Sequence, residues 1–214
     1  MTTPSDSDLY WRLQKDGKTF ERALGGLEYK FYLDGRFAGT ADNFVRLRLK
    51  LKDGFQVDQQ ALDKAWQCCR SKLPMLSSRI TPGNTREEVR FIISAAATRE
   101  DRARLVDCTG DELVLKLLSP ERELDDHQSR CFAILDPDGT SLEIVLLVSH
   151  SIGDGLSSMI LAKTFCDALS TNETAPRLST EDLARLLELV PAADALIQRQ
   201  LGHKRFADQL SSSD

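Results

Sequence analysis

The residues of this 214-residue chain best able to do chemistry sit together in Val148-Ser149-His150-Ser151-Ile152-Gly153-Asp154-Gly155-Leu156-Ser157-Ser158. Histidine takes and gives a proton near neutral pH, so His150 suits general-base work on a hydroxyl, amine or thiol. Asp154, four residues on, can reach back to orient a loop or a basic partner. Gly153 and Gly155 permit backbone angles and close approaches that a Cβ would block. Ser149, Ser151 and Ser157 add hydroxyls that could line a substrate pocket. The same residues also fit a purely structural reading: a buried, hydrogen-bonded histidine followed by a helix-capping Asp154.

Other chemistries find less support. His127, His150 and His203 are too few for a metal site, and no two have the H-x-x-x-H spacing of ligands on one helix face. No G-x-S-x-G elbow accompanies Ser149 or Ser151, and Gly25-Gly26 lacks the phosphate-loop pattern.

The elements that must position His150 can be read from periodicity. Ile144 to Val148 is an unbroken apolar run, which marks a strand covered on both faces. It lies in the second arm of a hairpin, Leu142 to Val148, with Cys131 to Leu135 as the first arm and Asp136-Pro137-Asp138-Gly139 as the turn. After the glycines, Leu156 to Ala168 takes helical spacing through Met159, Ile160, Ala162 and Phe165. Asp58 can cap a helix to Lys72 that buries Ala61, Leu62, Ala65, Trp66 and Cys69. Asp8 to Arg22 has an interrupted helical spacing, and Leu27 to Leu33 alternates like a strand. Val45 to Lys52 is the cleanest strand, with Leu47, Leu49 and Leu51 on one face and Arg46, Arg48, Lys50 and Lys52 on the other. That basic face could receive phosphates or an acidic partner, or simply protect a solvated sheet edge. Glu88 to Ser94 reads as a strand after Thr81-Pro82-Gly83-Asn84. Asp111 to Leu118 reads as a short helix, and Ser179 to Leu201 as a helix that Pro191 kinks or restarts.

Composition narrows the class. Lys and Arg number 28 against 33 Asp and Glu, a net charge of −5, which argues against a nucleic-acid binder working through bulk positive charge. No apolar run is long enough to span a bilayer, and Met1 to Asp8 lacks the order of a signal peptide, so a cytoplasmic location is expected. The five cysteines, odd in number and without C-x-x-C, are expected to be mostly buried, inert thiols. Residues 1–8 are expected to be a flexible N-terminus, 9–205 one domain, and 206–214 a loose C-terminus.

His150-Ser151-Ile152-Gly153-Asp154-Gly155 resembles the H-x-x-x-D-G signature of the acyltransferase superfamily that uses CoA- or carrier-bound donors. That superfamily includes chloramphenicol acetyltransferase, plant-type acyl transferases, nonribosomal peptide condensation domains and fungal alcohol O-acetyltransferases. Asp58 to Leu62 through Leu73-Pro74-Met75-Leu76-Ser77-Ser78-Arg79-Ile80 resembles the family's first long helix and the strand entry after it. Arg22-Ala23-Leu24-Gly25-Gly26-Leu27-Glu28 is similar to the opening of the fungal alcohol acetyltransferase branch. The resemblance implies an α/β fold, a single chloramphenicol-acetyltransferase-like subdomain with a mixed β-sheet covered by helices. It implies His150 as general base, with Asp154 and Gly155 structural and an arginine as the partner of Asp154. Condensation domains carry that arginine where this sequence has Ser77; either Arg79, two residues later, substitutes for it or the salt bridge is absent. Ser149 stands where condensation domains have the first His of an H-H pair.

Most of the superfamily has two similar halves with the site between them, whereas this chain runs only about sixty residues past its motif. Three readings follow. The first is an acyltransferase of small-molecule, secondary metabolism, using an acyl-CoA or acyl-carrier thioester as cosubstrate with no permanently bound cofactor. Its missing wall would come from a homo-oligomer, dimer or trimer. The second is a repurposed half-fold in which His150 isomerises, cyclises, dehydrates or epimerises a metabolite without acyl transfer. The third is a non-enzymatic subunit that completes a companion chain.

Overall fold

The computed structural model describes residues 6–39, 42–95, 102–119, 127–192 and 195. In chain order its strands are β1 (Arg12–Leu13), β2 (Thr19–Ala23), β3 (Asp42–Lys50), β4 (Arg79–Thr81), β5 (Arg90–Ser94), β6 (Arg104–Leu105), β7 (Ser129–Leu135) and β8 (Ser141–Ser149). Its helices are α1 (Gly26–Leu33), α2 (Gln59–Lys72), α3 (Gly110–Leu118), α4 (Gly155–Thr171) and α5 (Thr180–Glu188). The mixed α/β class holds, with the strands divided between two four-stranded sheets, β1-β2-β5-β4 and β3-β8-β7-β6.

β8 is the strand that delivers the site, and it is covered on both faces as its apolar run requires. Leu142, Ile144, Leu146 and Val148 join a core with Trp66 of α2 and Phe165 of α4. Val145, on the other face, packs with Leu113 and Leu117 of α3. The hairpin to β7 closes through Gly139, whose φ of 68° suits a residue without a Cβ.

β3 pairs with β8 along its length, from Asp42↔Ser149 to Lys50↔Ser141, and forms the sheet's edge. Its basic face is partly neutralised: Arg46 bonds Glu143 and Asp111, and Arg48 lies 3.4 Å from Glu143. Those pairs favour edge protection over phosphate capture. Cys68, Cys69 and Cys131 are buried, and all five thiols are unpaired. Burial pushes the Cys69 thiol up to about 12, so it stays protonated and inert.

Two elements depart from their sequence patterns. Asp8 to Arg22 is not a helix but holds the β1–β2 hairpin. Asp16 accepts from the Lys18 and Thr19 backbone N–H groups, each at 2.9 Å, and Gly17 takes a φ of 67°. An Asp-Gly turn thus outcompetes a weak helical stripe. Leu27 to Leu33 is helix α1 rather than a strand, because Glu28 reaches back to the Gly25 N–H at 2.8 Å and closes its first turn. α5 begins at the expected Ser179 cap and ends at Glu188, ahead of Pro191, which disfavours helix in the residue before it; beyond the proline Ala195 is helical again, as a helix restarted there requires. Most of 193–201 and all of 206–214, the expected loose end, lie outside the described residues.

The Pro82-Gly83 turn is tight for a reason other than backbone angle. A Cβ on Gly83 would lie 2.3 Å from Glu88 Cβ and 2.8 Å from the Glu88 carbonyl carbon. Gly83→Ala is expected to destabilise the chain by about 1–3 kcal/mol, the usual cost of overpacking, read as a lower urea midpoint at unchanged slope.

Candidate active site

His150 stands where β8 ends, half-buried, one residue past Ser149. Its Nδ1 lies 2.9 Å from the Gly153 carbonyl oxygen, and Asn43 Nδ2 donates to the same oxygen at 2.9 Å. A carbonyl only accepts, so the proton of a neutral ring sits on Nδ1, and Nε2 keeps its lone pair. The ring face is stacked on Phe31 of α1, with centroids 4.0 Å apart and planes 15° from parallel. One hydrogen bond and one stack therefore hold the imidazole in the tautomer and orientation of a base.

Phe31 arrives through a buried ion pair. Arg22, at the end of β2, donates to both carboxylate oxygens of Glu28, at 2.7 and 2.8 Å, and its Nη1 also donates to the Ala23 carbonyl. The pair fixes the first turn of α1, and the same helix carries Phe31 one turn later. Arg22 and Glu28 thus act as positioning residues for the imidazole's covering face.

The serines are engaged in the loop. Ser151, buried, donates from Oγ to Gln128 Oε1 at 2.9 Å. With that proton committed, the 2.7 Å contact between the two hydroxyls must be Ser149 donating to Ser151. Ser149 N–H donates to the Gln128 carbonyl at 2.8 Å, so Gln128 clamps both sides of His150.

Asp154 caps α4. Its carboxylate accepts from Ser157 N–H at 2.8 Å and from Ser157 Oγ–H at 2.7 Å, which lowers its pKa from the ordinary aspartate value. Arg79, the candidate partner, lies instead on β4 opposite Ile92, and among the described residues the carboxylate's bonds run to Ser157. A depressed folded-state pKa stabilises above the unfolded value, near 4, and that contribution is lost as pH falls through the folded one. Asp154→Ala is therefore expected to lower the urea midpoint at about pH 7, with the gap to wild type narrowing as pH falls below the unfolded value of about 4.

One expectation about this segment is corrected. Neither Gly153 nor Gly155 takes a positive φ; a Cβ on Gly153 would make only ordinary contacts at 3.4 Å, and one on Gly155 nothing within 4 Å. Leu156 to Ala168 is helical as its spacing requires, within α4. The buried stripe of α4 runs through Ser158, Leu161, Ala162 and Phe165, leaving Leu156, Met159 and Ile160 exposed.

No protein-family model matches the sequence. No curated protein matches it either. Solved structures do. Trichothecene 15-O-acetyltransferase from Fusarium sporotrichioides superposes with a TM-score of 0.67 at 11% identity, over 86% of this chain and 43% of that one. The chain has the fold of this acetyltransferase and condensation-domain group. The starter condensation domain of the rhizomide synthetase gives a TM-score of 0.58 at 13% identity, over 83% of this chain and 44% of that one. The X-domain from teicoplanin biosynthesis gives 0.57 at 21%, over 86% and 39%. The chain thus spans about two-fifths of the length of the structures it matches, one half-fold of the condensation type. Among its described residues, no helix is long and apolar enough to cross a membrane.

Proposed function

We propose that this half-fold is an acyltransferase-like enzyme of small-molecule metabolism, with His150 Nε2 as its general base. The supporting observation is the Nδ1–H bond to the Gly153 carbonyl, which leaves Nε2 as the ring's only acceptor. In this reading an alcohol or amine acceptor gives its proton to Nε2 while its heteroatom bonds to the carbonyl carbon of an acyl-CoA or acyl-carrier thioester. The tetrahedral oxyanion then collapses, the C–S bond breaks, and the departing thiolate takes the proton from Nε2. Asp154 and Gly155 begin the helix after the base, and Gln128 and Asn43 hold its loop.

The exposed apolar face of α4, Leu156, Met159 and Ile160, begins six residues beyond the base. It supports a site wall supplied from outside the chain by a homo-oligomer, dimer or trimer, or by a companion chain. The test is acyl transfer from acetyl-CoA and from a carrier-bound thioester to a panel of alcohols and amines. Transfer by the purified chain supports both the reaction and self-association. Absence of transfer, with turnover of a metabolite in the absence of thioester, would replace it by a repurposed acid–base reaction.

A further inference from the structure

β3 stands at the end of its sheet, and among the described residues no strand pairs with its outer edge. The register shows which residues present that edge. Leu51 N–H donates to the Thr140 carbonyl at 2.8 Å, and Leu51 opposite Thr140 is the next step of the β3–β8 ladder after Lys50↔Ser141. On β8, Ser149 N–H donates at 2.8 Å to Gln128, on the β7 side. Bonded sides alternate along an antiparallel strand, and both bonds set the same phase. Val45, Leu47 and Leu49 therefore bond β8, while Phe44, Arg46, Arg48 and Lys50 turn their N–H and C=O groups outward. Arg46 is held by Glu143 and Asp111, whereas the Arg48 side chain is 73% exposed and Lys50 is exposed. On the opposite face Val45, Leu47 and Leu49 pack on the main core yet stay half-buried, as apolar residues do where a sheet lacks its next strand.

Such an edge admits a further strand through main-chain bonds, with the added side chains alternating between the two faces. A second copy of β3 is a poor occupant, because antiparallel pairing of two outer edges sets Arg and Lys against Arg and Lys. We propose that the outer edge of β3 docks an extended segment of a partner protein in which acidic and apolar residues alternate. Its carboxylates lie across from Arg48 and Lys50, and its apolar side chains continue the face of Val45, Leu47 and Leu49. This docking is independent of the chemistry at His150.

The probe is a blocked nine-residue peptide alternating glutamate and valine, titrated at low salt while amide hydrogen exchange is followed by NMR. It is expected to bind at least tenfold more tightly than a lysine–valine peptide of equal length. Bound peptide should slow exchange of the Arg46, Arg48 and Lys50 amides at least tenfold, while those of Leu47 and Leu49, already bonded to β8, change little. The same peptide N-methylated throughout keeps its charges but has no donors, and is expected to bind at least tenfold more weakly. Arg48→Gln combined with Lys50→Gln, at two exposed side chains, is expected to weaken the glutamate–valine peptide at least tenfold. Circular dichroism melting establishes that the variant is folded; if it is not, the N-methylated peptide on the unaltered chain decides. Absence of binding, equal binding of the lysine–valine peptide, undiminished binding after N-methylation, or unchanged affinity in the folded variant overturns the site. So does protection of the same three amides without peptide: rising with protein concentration, it places a second copy on the edge, and otherwise another part of this chain.

Discussion

Replacing His150 with alanine is expected to lower the rate of acyl transfer to an alcohol by about 10²–10⁴-fold, the usual contribution of a positioned general base. The fold should survive the change. His150 is half-buried, and the carbonyl it bonds, that of Gly153, still receives the Asn43 amide at 2.9 Å, so no buried acceptor is orphaned. The melting midpoint therefore stays near wild type while the rate collapses. Phe31→Leu should behave differently, retaining Nε2 but removing the face that holds the ring 4.0 Å away. Its loss is expected to fall mainly on kcat and to be smaller than that of His150→Ala, because the Gly153 bond still fixes the tautomer. Stopped thioester assays with each variant separate the two roles. A transfer rate in His150→Ala within a few-fold of wild type would remove His150 from the chemistry.

The strand, the loop and the helix around His150 were readable because their signals are local: an apolar run, then a capping aspartate, then helical spacing. β7 and β8 extend by at most two residues beyond the expected hairpin arms, and α2 follows its Asp58 cap. The residues that orient His150 were not readable, and each for a physical reason. Asn43 reaches Gly153 across 110 residues of sequence, through the β3–β8 register, which no single-sequence pattern specifies. Gln128 meets Ser149 and Ser151 for the same reason, as the residue leading into β7. Phe31 was hidden by an alternation that mimics a strand. The local signal that could have found it is Glu28, three residues after Gly25, the spacing of a carboxylate that closes a helix's first turn. On α4, Met159 and Ile160 share the helical period with the core residues but lie on the exposed side, because the buried stripe is narrow and set by contact with α2. Hydrophobicity alone does not tell a core stripe from a face awaiting a partner.

The second large effect concerns the ion pair behind Phe31. Arg22→Ala is expected to destabilise the chain by about 3–5 kcal/mol, the loss that follows when one partner of a buried pair is removed. The Arg22 side chain is 1% exposed and that of Glu28 is 12% exposed, so the surviving carboxylate would be left in a site nearly closed to water. Packing adds to the electrostatic loss. The guanidinium carbon lies 5.0 Å from the Trp11 ring centroid and 4.8 Å from that of Phe91, and truncation empties the space between the rings. The Arg22 Nε finds no hydrogen-bond partner among the described residues, so this cation is held by the rings as well as by the carboxylate. Removing both charges together should cost much less: Arg22→Met with Glu28→Leu keeps apolar volume and leaves no buried charge, and is expected to recover most of the loss. The double variant also frees the Gly25 N–H from its carboxylate, so α1 should start less firmly and transfer should stay reduced although stability returns. Urea unfolding at constant slope measures the first effect and thioester turnover the second. A loss below about 1 kcal/mol in Arg22→Ala would mean the pair behaves as a solvated surface bridge, and the support proposed for the Phe31 stack would fail with it.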